Sequence, residues 1–169
     1  MNRNDAETLL IHEARLLDNL QLEAWNELFT ADGVYWIPLD DAAPTQHNAA
    51  IVLDTPIRRQ ERVYHLTQTS YSFPAQSPRS RTLHFISNVA LEALPAGQDD
   101  GAQWLVQSNQ IIYEMRTGDF KQVGIGELHP IVASVEHRLR EEQGQMRIVR
   151  KKILLINRDA WLGNMTFMM

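Results

Sequence analysis

The feature that most constrains this chain is a change of hydrophobic period partway along it. Over roughly the first 70 residues, apolar side chains recur at helical spacing. From Thr82 onward they alternate, as half-buried strands do. Ala6, Leu10, Ala14 and Leu17 form one stripe, widened by Leu9, Leu16 and Leu20, and predict a helix over residues 5–19. Asn4 is placed to cap it, with Glu7 completing a capping box. Trp25, Leu28 and Phe29 continue the spacing in a short second helix. Thr30-Ala31-Asp32-Gly33 then reads as a polar turn, followed by an aromatic strand, Val34-Tyr35-Trp36-Ile37. Residues 39–48 read as a polar loop. Asp54-Thr55-Pro56 opens a third helix reaching about residue 66, since proline suits a first helical turn.

Four long strands follow. Leu83, Phe85, Ser87, Val89 and Leu91 alternate with Thr82, His84, Ile86, Asn88 and Ala90, and Asn88 reads as a buried amide. Residues 95–101 form a turn. Residues 103–116 put Trp104, Val106 and Ile112 on one face, with Leu105, Ile111, Tyr113 and Met115 on the other. Residues 117–119 turn again, and residues 120–139 form a strand with a break near Pro130. In the last strand, residues 146–159, Ile148, Leu154 and Ile156 oppose Val149, Ile153 and Leu155.

Helices first and hairpin-linked strands afterwards predict an α+β fold in one domain, residues 1–169. The strands are apolar on one face and partly so on the other. The sheet therefore needs two covers, the helices and a partner subunit. The apolar tail, residues 165–169, is expected to pack on this subunit or another.

Composition narrows the function classes. A net charge of −5 without a Lys/Arg run argues against nucleic acid. No apolar stretch approaches the roughly 20 residues a membrane-spanning helix needs, and the start of the chain lacks a signal-peptide apolar region, so a cytoplasmic location is expected. With no cysteine, the chain offers no thiol nucleophile and no iron–sulfur ligand set. The six histidines include no pair three or four residues apart, and Glu127 with His129 is a weak metal signal. No metal or cofactor site is expected in this chain.

Three segments, residues 12–41, 77–92 and 149–161, together resemble the small (β) subunit of aromatic-ring-hydroxylating dioxygenases. The resemblance implies a cone-shaped, nuclear-transport-factor-2-like or cystatin-like fold, with helices packed on a long, curved, mostly antiparallel sheet. It implies a partner α subunit carrying a Rieske 2Fe–2S cluster and a mononuclear Fe(II), fed by NAD(P)H through a reductase. Three α and three β chains would assemble, the β chains as a trimer with a structural rather than catalytic role. Trp36, Arg79, Arg81, Trp104, Arg150 and Trp161 are then the interface candidates. The competing readings are a dehydratase, isomerase or cyclase of the same fold, with Asp32, Tyr35 and His84 around a pocket, and a small-ligand-binding module. In the enzyme reading, burial would raise the pKa of Asp32 and make it a general base. Elsewhere, Arg58, Arg59 and Arg62 read as the solvated face of the third helix.

Overall fold

The computed structural model describes residues 1–41, 49–67, 79–116, 126–160, 162, 165 and 167–169. Most of the polar loop expected at residues 39–48, the stretch 71–78, which with its two prolines reads as an irregular connector, the turn expected at residues 117–119, the alternating positions Val123 and Ile125, and Trp161 lie outside the described residues.

Helix α1 spans Arg3–Asp18, and its cap lies earlier than the periodicity indicated. The Asn2 side chain accepts from the Asp5 backbone N–H at 3.0 Å, and the Asp5 carboxylate accepts from the Asn2 N–H at 2.7 Å. Asn4 is already inside the helix, its carbonyl accepting from Thr8 Oγ1. The Asn2/Asp5 pair has the reciprocal geometry of a capping box and replaces the expected Asn4/Glu7 pair. Helix α2 is the short Leu22–Asn26, and α3 spans Pro56–Thr67.

Strands β1 (Phe29–Pro38), β2 (Ala50–Asp54), β3 (Arg81–Ala93), β4 (Trp104–Met115), β5 (Leu128–Glu142) and β6 (Gln145–Leu155) form one sheet in the order β2-β1-β6-β5-β4-β3. Only β1 and β6 are parallel; the other pairs are antiparallel. Strand β2 falls between the polar loop expected at residues 39–48 and the helix start expected at Asp54, where the sequence pattern assigns no element. It is a five-residue edge strand, too short to display an alternation.

Among the described residues four register shifts interrupt the sheet; one lies between Ile37 and Pro38 where β1 meets β2, and the other three separate the sheet from its sequence pattern. The first absorbs the expected turn at residues 30–33. Phe29 pairs with Ile148 and Val34 with Arg150, so β1 carries extra residues across a short step of β6. Gly33 is needed there, because a Cβ on it would stand 2.7 Å from the Ile148 carbonyl oxygen. The second bulge falls at Asn88, which has φ 54° and interrupts the β3–β4 register between Ser87 and Ala90. Asn88 is therefore exposed rather than a buried amide, and Val89 and Leu91 join Thr82, His84 and Ile86 on the more shielded face. The third lies on β6, where Val149 is the extra residue: Leu139 of β5 pairs with Ile148 and its neighbour Arg138 with Arg150. It turns Ile148 inward, so Ile148 and Ile153 are both fully buried despite their expected opposition.

α1 packs against β3, and the core fills the concavity between helices and sheet. Trp25 meets Phe29 and Tyr35 edge-on, with ring centroids 4.9 and 5.7 Å apart. Phe167, Met168 and Met169 are buried in this same core, which settles where the apolar tail packs. The Met169 N–H donates to the Tyr35 hydroxyl at 3.2 Å. The outer face of the sheet differs. Leu83, Phe85, Leu128 and Ile156 are each more than half exposed. Phe85 touches Tyr113 edge-on across the strand pair, giving this end of the sheet an apolar surface.

Candidate functional site

Charged side chains meet inside the core. Glu13 stands on the buried stripe of α1, His137 continues the inward alternation of β5, and Lys151 does the same on β6. All three are at most 2% exposed. Glu13 Oε1 accepts from Lys151 Nζ at 2.8 Å and from Trp25 Nε1 at 3.0 Å, while Oε2 meets His137 Nε2 at 2.9 Å. Burial alone would raise the Glu13 pKa, but Lys151 and His137 outweigh it and hold the carboxyl far below the usual carboxylate range. Burial pushes His137 down, so its ring is neutral near pH 7. It then donates from Nε2 to Glu13, leaving Nδ1 buried without a hydrogen-bond partner. Burial also lowers Lys151, opposed by Glu13. A carboxylate held this firmly in its ionised form is a poor general base. The cluster is an ion pair with two neutral donors, tying α1 and α2 to β5 and β6.

Glu13 and His137 are not among the residues singled out from the sequence, whereas Arg150, Lys151 and Lys152 straddle both strand faces, so that at least one is expected to reach a neighbouring chain or an acidic side chain, and Lys151 reaches Glu13. The available signal was positional: a glutamate, a histidine and a lysine each occupy a core-facing place in an otherwise apolar pattern, and buried charges require partners.

Asp32, Tyr35 and His84 have separate surroundings. Asp32 sits on the β1 bulge with its side chain 61% exposed, 3.0 Å from Arg140 Nη2. Hydrogen bonds from Thr30 and Arg140 lower its pKa, opposite to the rise a buried base would show. Tyr35 is buried in the core, and burial raises its pKa, so its phenol keeps its proton. His84 Nδ1 lies 2.6 Å from Asp18 Oδ1, and Asp18 also accepts from the His84 backbone N–H and from Thr82 Oγ1. His84 Nε2 is buried with no hydrogen-bond partner.

The interface candidates also differ in environment. Trp36 is only 5% exposed, so both Tyr35 and Trp36 are covered within the chain. Lys152 Nζ stands 5.5 Å from the Trp36 ring centroid and pairs with Asp41. Arg79 donates to the Thr67 carbonyl, Arg81 is exposed, and Trp104 is half-buried against the core. Arg150 is half-buried. On α3 the structure corrects the solvated reading. Arg59 is 3% exposed, donates to Asn26 Oδ1 and the Gly33 carbonyl, and stacks 4.1 Å from the Phe29 ring centroid. Arg62 pairs with Asp54.

Among the described residues, no three His, Asp or Glu side chains are grouped to hold a metal ion. No helix among them is long and apolar enough to cross a membrane.

The architecture is that of the nuclear-transport-factor-2-like, cystatin-like α+β proteins. The fold matches an NTF2-like protein with a cystatin-like fold from Novosphingobium aromaticivorans at TM-score 0.58 and 16% identity, over 92% of this chain and 82% of that one. It matches the beta subunit of benzoate 1,2-dioxygenase from Burkholderia mallei at TM-score 0.74 and 22% identity, over 99% and 98% of the two chains. A family model described as the ring hydroxylating beta subunit matches residues 12–159. The small oxygenase component of the p-cumate 2,3-dioxygenase system of Pseudomonas putida is 34% identical over 158 residues, covering 92% of this chain and 79% of the relative. This chain belongs to the family of ring hydroxylating β subunits.

Proposed function

We propose that this chain braces the large oxygenase subunit of an aromatic-ring-hydroxylating dioxygenase and performs no redox chemistry itself. The observation that carries the reading is the contrast between the two faces of the sheet. The inner face is filled by core side chains, the Glu13 cluster and the apolar tail, whereas the outer face exposes Leu83, Phe85, Leu128 and Ile156. An apolar face of that kind favours a protein partner over a small substrate. In this reading residues 1–169 act as one domain, β chains pack as a trimer, and three α chains complete the assembly. The large subunit would hold the Rieske cluster and the mononuclear iron. This chain supplies no cysteine for the cluster. Electrons would come from NAD(P)H through a reductase, and the complex would work in the cytoplasm on an aromatic ring.

The test is co-expression with the large subunit, followed by mass measurement and a ring-hydroxylation assay with reductase and NADH. Co-purification and activity only in the complex are expected. A chain that stays monomeric and does not bind the large subunit defeats the proposal. Phe85→Glu should leave the isolated fold intact and impair assembly, because it charges an exposed position on the apolar face.

The alternative enzyme reading retains one supporting observation, the His84 imidazole oriented by Asp18 with Nε2 unpartnered. It makes His84 a base, with Asp18 rather than Asp32 as the orienting carboxylate. It predicts turnover of a small hydroxylated or carbonyl compound by the isolated chain, lost in Asp18→Asn.

A further inference from the structure

Three arginines and four carboxylates gather around the β1 bulge, and one of the arginines, Arg150, has no partner of its own. Arg138 spends Nε and Nη2 on Asp100, at 2.5 and 2.8 Å, with Nη2 also reaching Gln98 Oε1. Arg140 donates to Asp32, to Glu142 and to the Asp100 carbonyl. Glu136, the nearest acid on β5, accepts from Gln107. Arg150 lies opposite Arg138 on one side and Val34 on the other. Among the described residues its side chain makes no hydrogen bond or ion pair. Burial pushes its guanidinium below the ordinary value, Arg138 adds to that, and Asp100 and Glu136 oppose it.

This side chain lines a cleft of about 420 Å³. Val34, Leu53 and Val149 give the cleft apolar walls, and Asp32, Asp100 and Thr55 complete it. Asp100 is held by Arg138 and Asp32 by Arg140, which Glu142 shares, so the group without a partner of its own is a planar fork of donors beside an apolar wall. A carboxylate matches such a fork with two parallel hydrogen bonds. The volume exceeds that of a carboxylate alone and leaves room for an adjoining apolar side chain.

We propose that the Arg150 cleft is a docking socket for an acidic side chain of the large subunit, flanked there by an apolar residue. This rests on the assembly reading above and adds the contact chemistry to it. The cleft lies on the β1–β6 side of the sheet, whereas the apolar patch centres on β3 and β4. The two surfaces can therefore serve different neighbours.

The test compares wild type, Arg150→Met and Arg150→Lys for equilibrium binding to the purified large subunit, with thermal melting of each isolated chain. Methionine keeps much of the apolar stem and removes the charge. It should weaken binding by about 30-fold or more, the loss expected when one partner of a buried interfacial charge pair is removed. Lysine should recover part of that loss, and neither variant should melt lower than wild type. Equal binding by wild type and Arg150→Met overturns the socket while leaving the assembly reading intact. A markedly lower melting temperature in Arg150→Met makes the residue structural and also overturns it. Failure of wild type to bind the large subunit removes both proposals. Sodium acetate serves as the small-molecule probe: saturable binding abolished in Arg150→Met, with assembly unaffected, would reassign the cleft to a free carboxylate.

Discussion

Glu13→Gln is the most exacting test of the core as described. The substitution is nearly isosteric, so little volume changes, but the negative charge disappears. Lys151, 1% exposed, loses the carboxylate 2.8 Å from its ammonium. Removing one member of a buried ion pair costs about 3–5 kcal/mol, because the remaining charge is desolvated without compensation. The amide oxygen still accepts from some of the Trp25, His137 and Lys151 donors, which places the expected loss toward the lower end. Urea unfolding followed by far-UV circular dichroism measures it, provided the slope of the transition stays unchanged. The loss should shrink as pH rises, because neutral Lys151 tolerates burial better. Glu13→Leu combined with Lys151→Met removes both charges and leaves only the His137 and Trp25 donors unpaired. Each such donor costs about 1–3 kcal/mol, so the double variant should lose about 2–6 kcal/mol, a range that includes the loss expected of Glu13→Gln. A Glu13→Gln variant within about 1 kcal/mol of wild type would refute the reasoning, since it would mean the buried ammonium needs no counter-charge.

Acidification should destabilise the wild-type fold in two stages. His137 has its pKa lowered from 6.5, so the unfolded chain takes up a proton that the folded one resists, and stability falls as pH drops below about 6.5. Glu13, lowered from 4.5, contributes stability that is complete above that value and lost as pH falls further. Urea midpoints across pH 4–8 measure both, and His137→Gln should flatten the upper stage. Gly33→Ala should destabilise by about 1–3 kcal/mol, because its new methyl meets a backbone oxygen that cannot easily move. Arg59→Met should cost about 2 kcal/mol by leaving the Gly33 carbonyl and Asn26 without their donor, and Arg59→Lys should not fully rescue it, since a point charge cannot reproduce the fork stacked on Phe29. Chemical denaturation checks both variants.

The legibility of the fold followed the range of the interactions involved. The first helix was readable because its stripe repeats every three or four residues, and the long strands because alternation persists over ten residues or more. The displacement of its cap to Asn2 was not readable, because Asn2/Asp5 and Asn4/Glu7 share the same spacing and only backbone geometry separates them. Strand β2 was missed because five residues carry too little pattern. The faces were misread beyond Asn88 on β3 and at Ile148 on β6, since one inserted residue inverts an alternation and a bulge has no periodic signature.

The same boundary separates the two halves of the functional reading. Local pattern and the ordered family-like segments were enough to determine an α+β chain, its cysteine-free chemistry and its membership of the ring hydroxylating β subunits. Tertiary structure decided which charges are buried together. Glu13 and Lys151 are 138 positions apart, and nothing local in either segment chooses one partner over another. It also put Asp32 outside on a bulge, spent Arg59 inside, and left Arg150 unpaired. Pairing depends on three-dimensional proximity and on desolvation, and both exist only once the sheet has closed over α1.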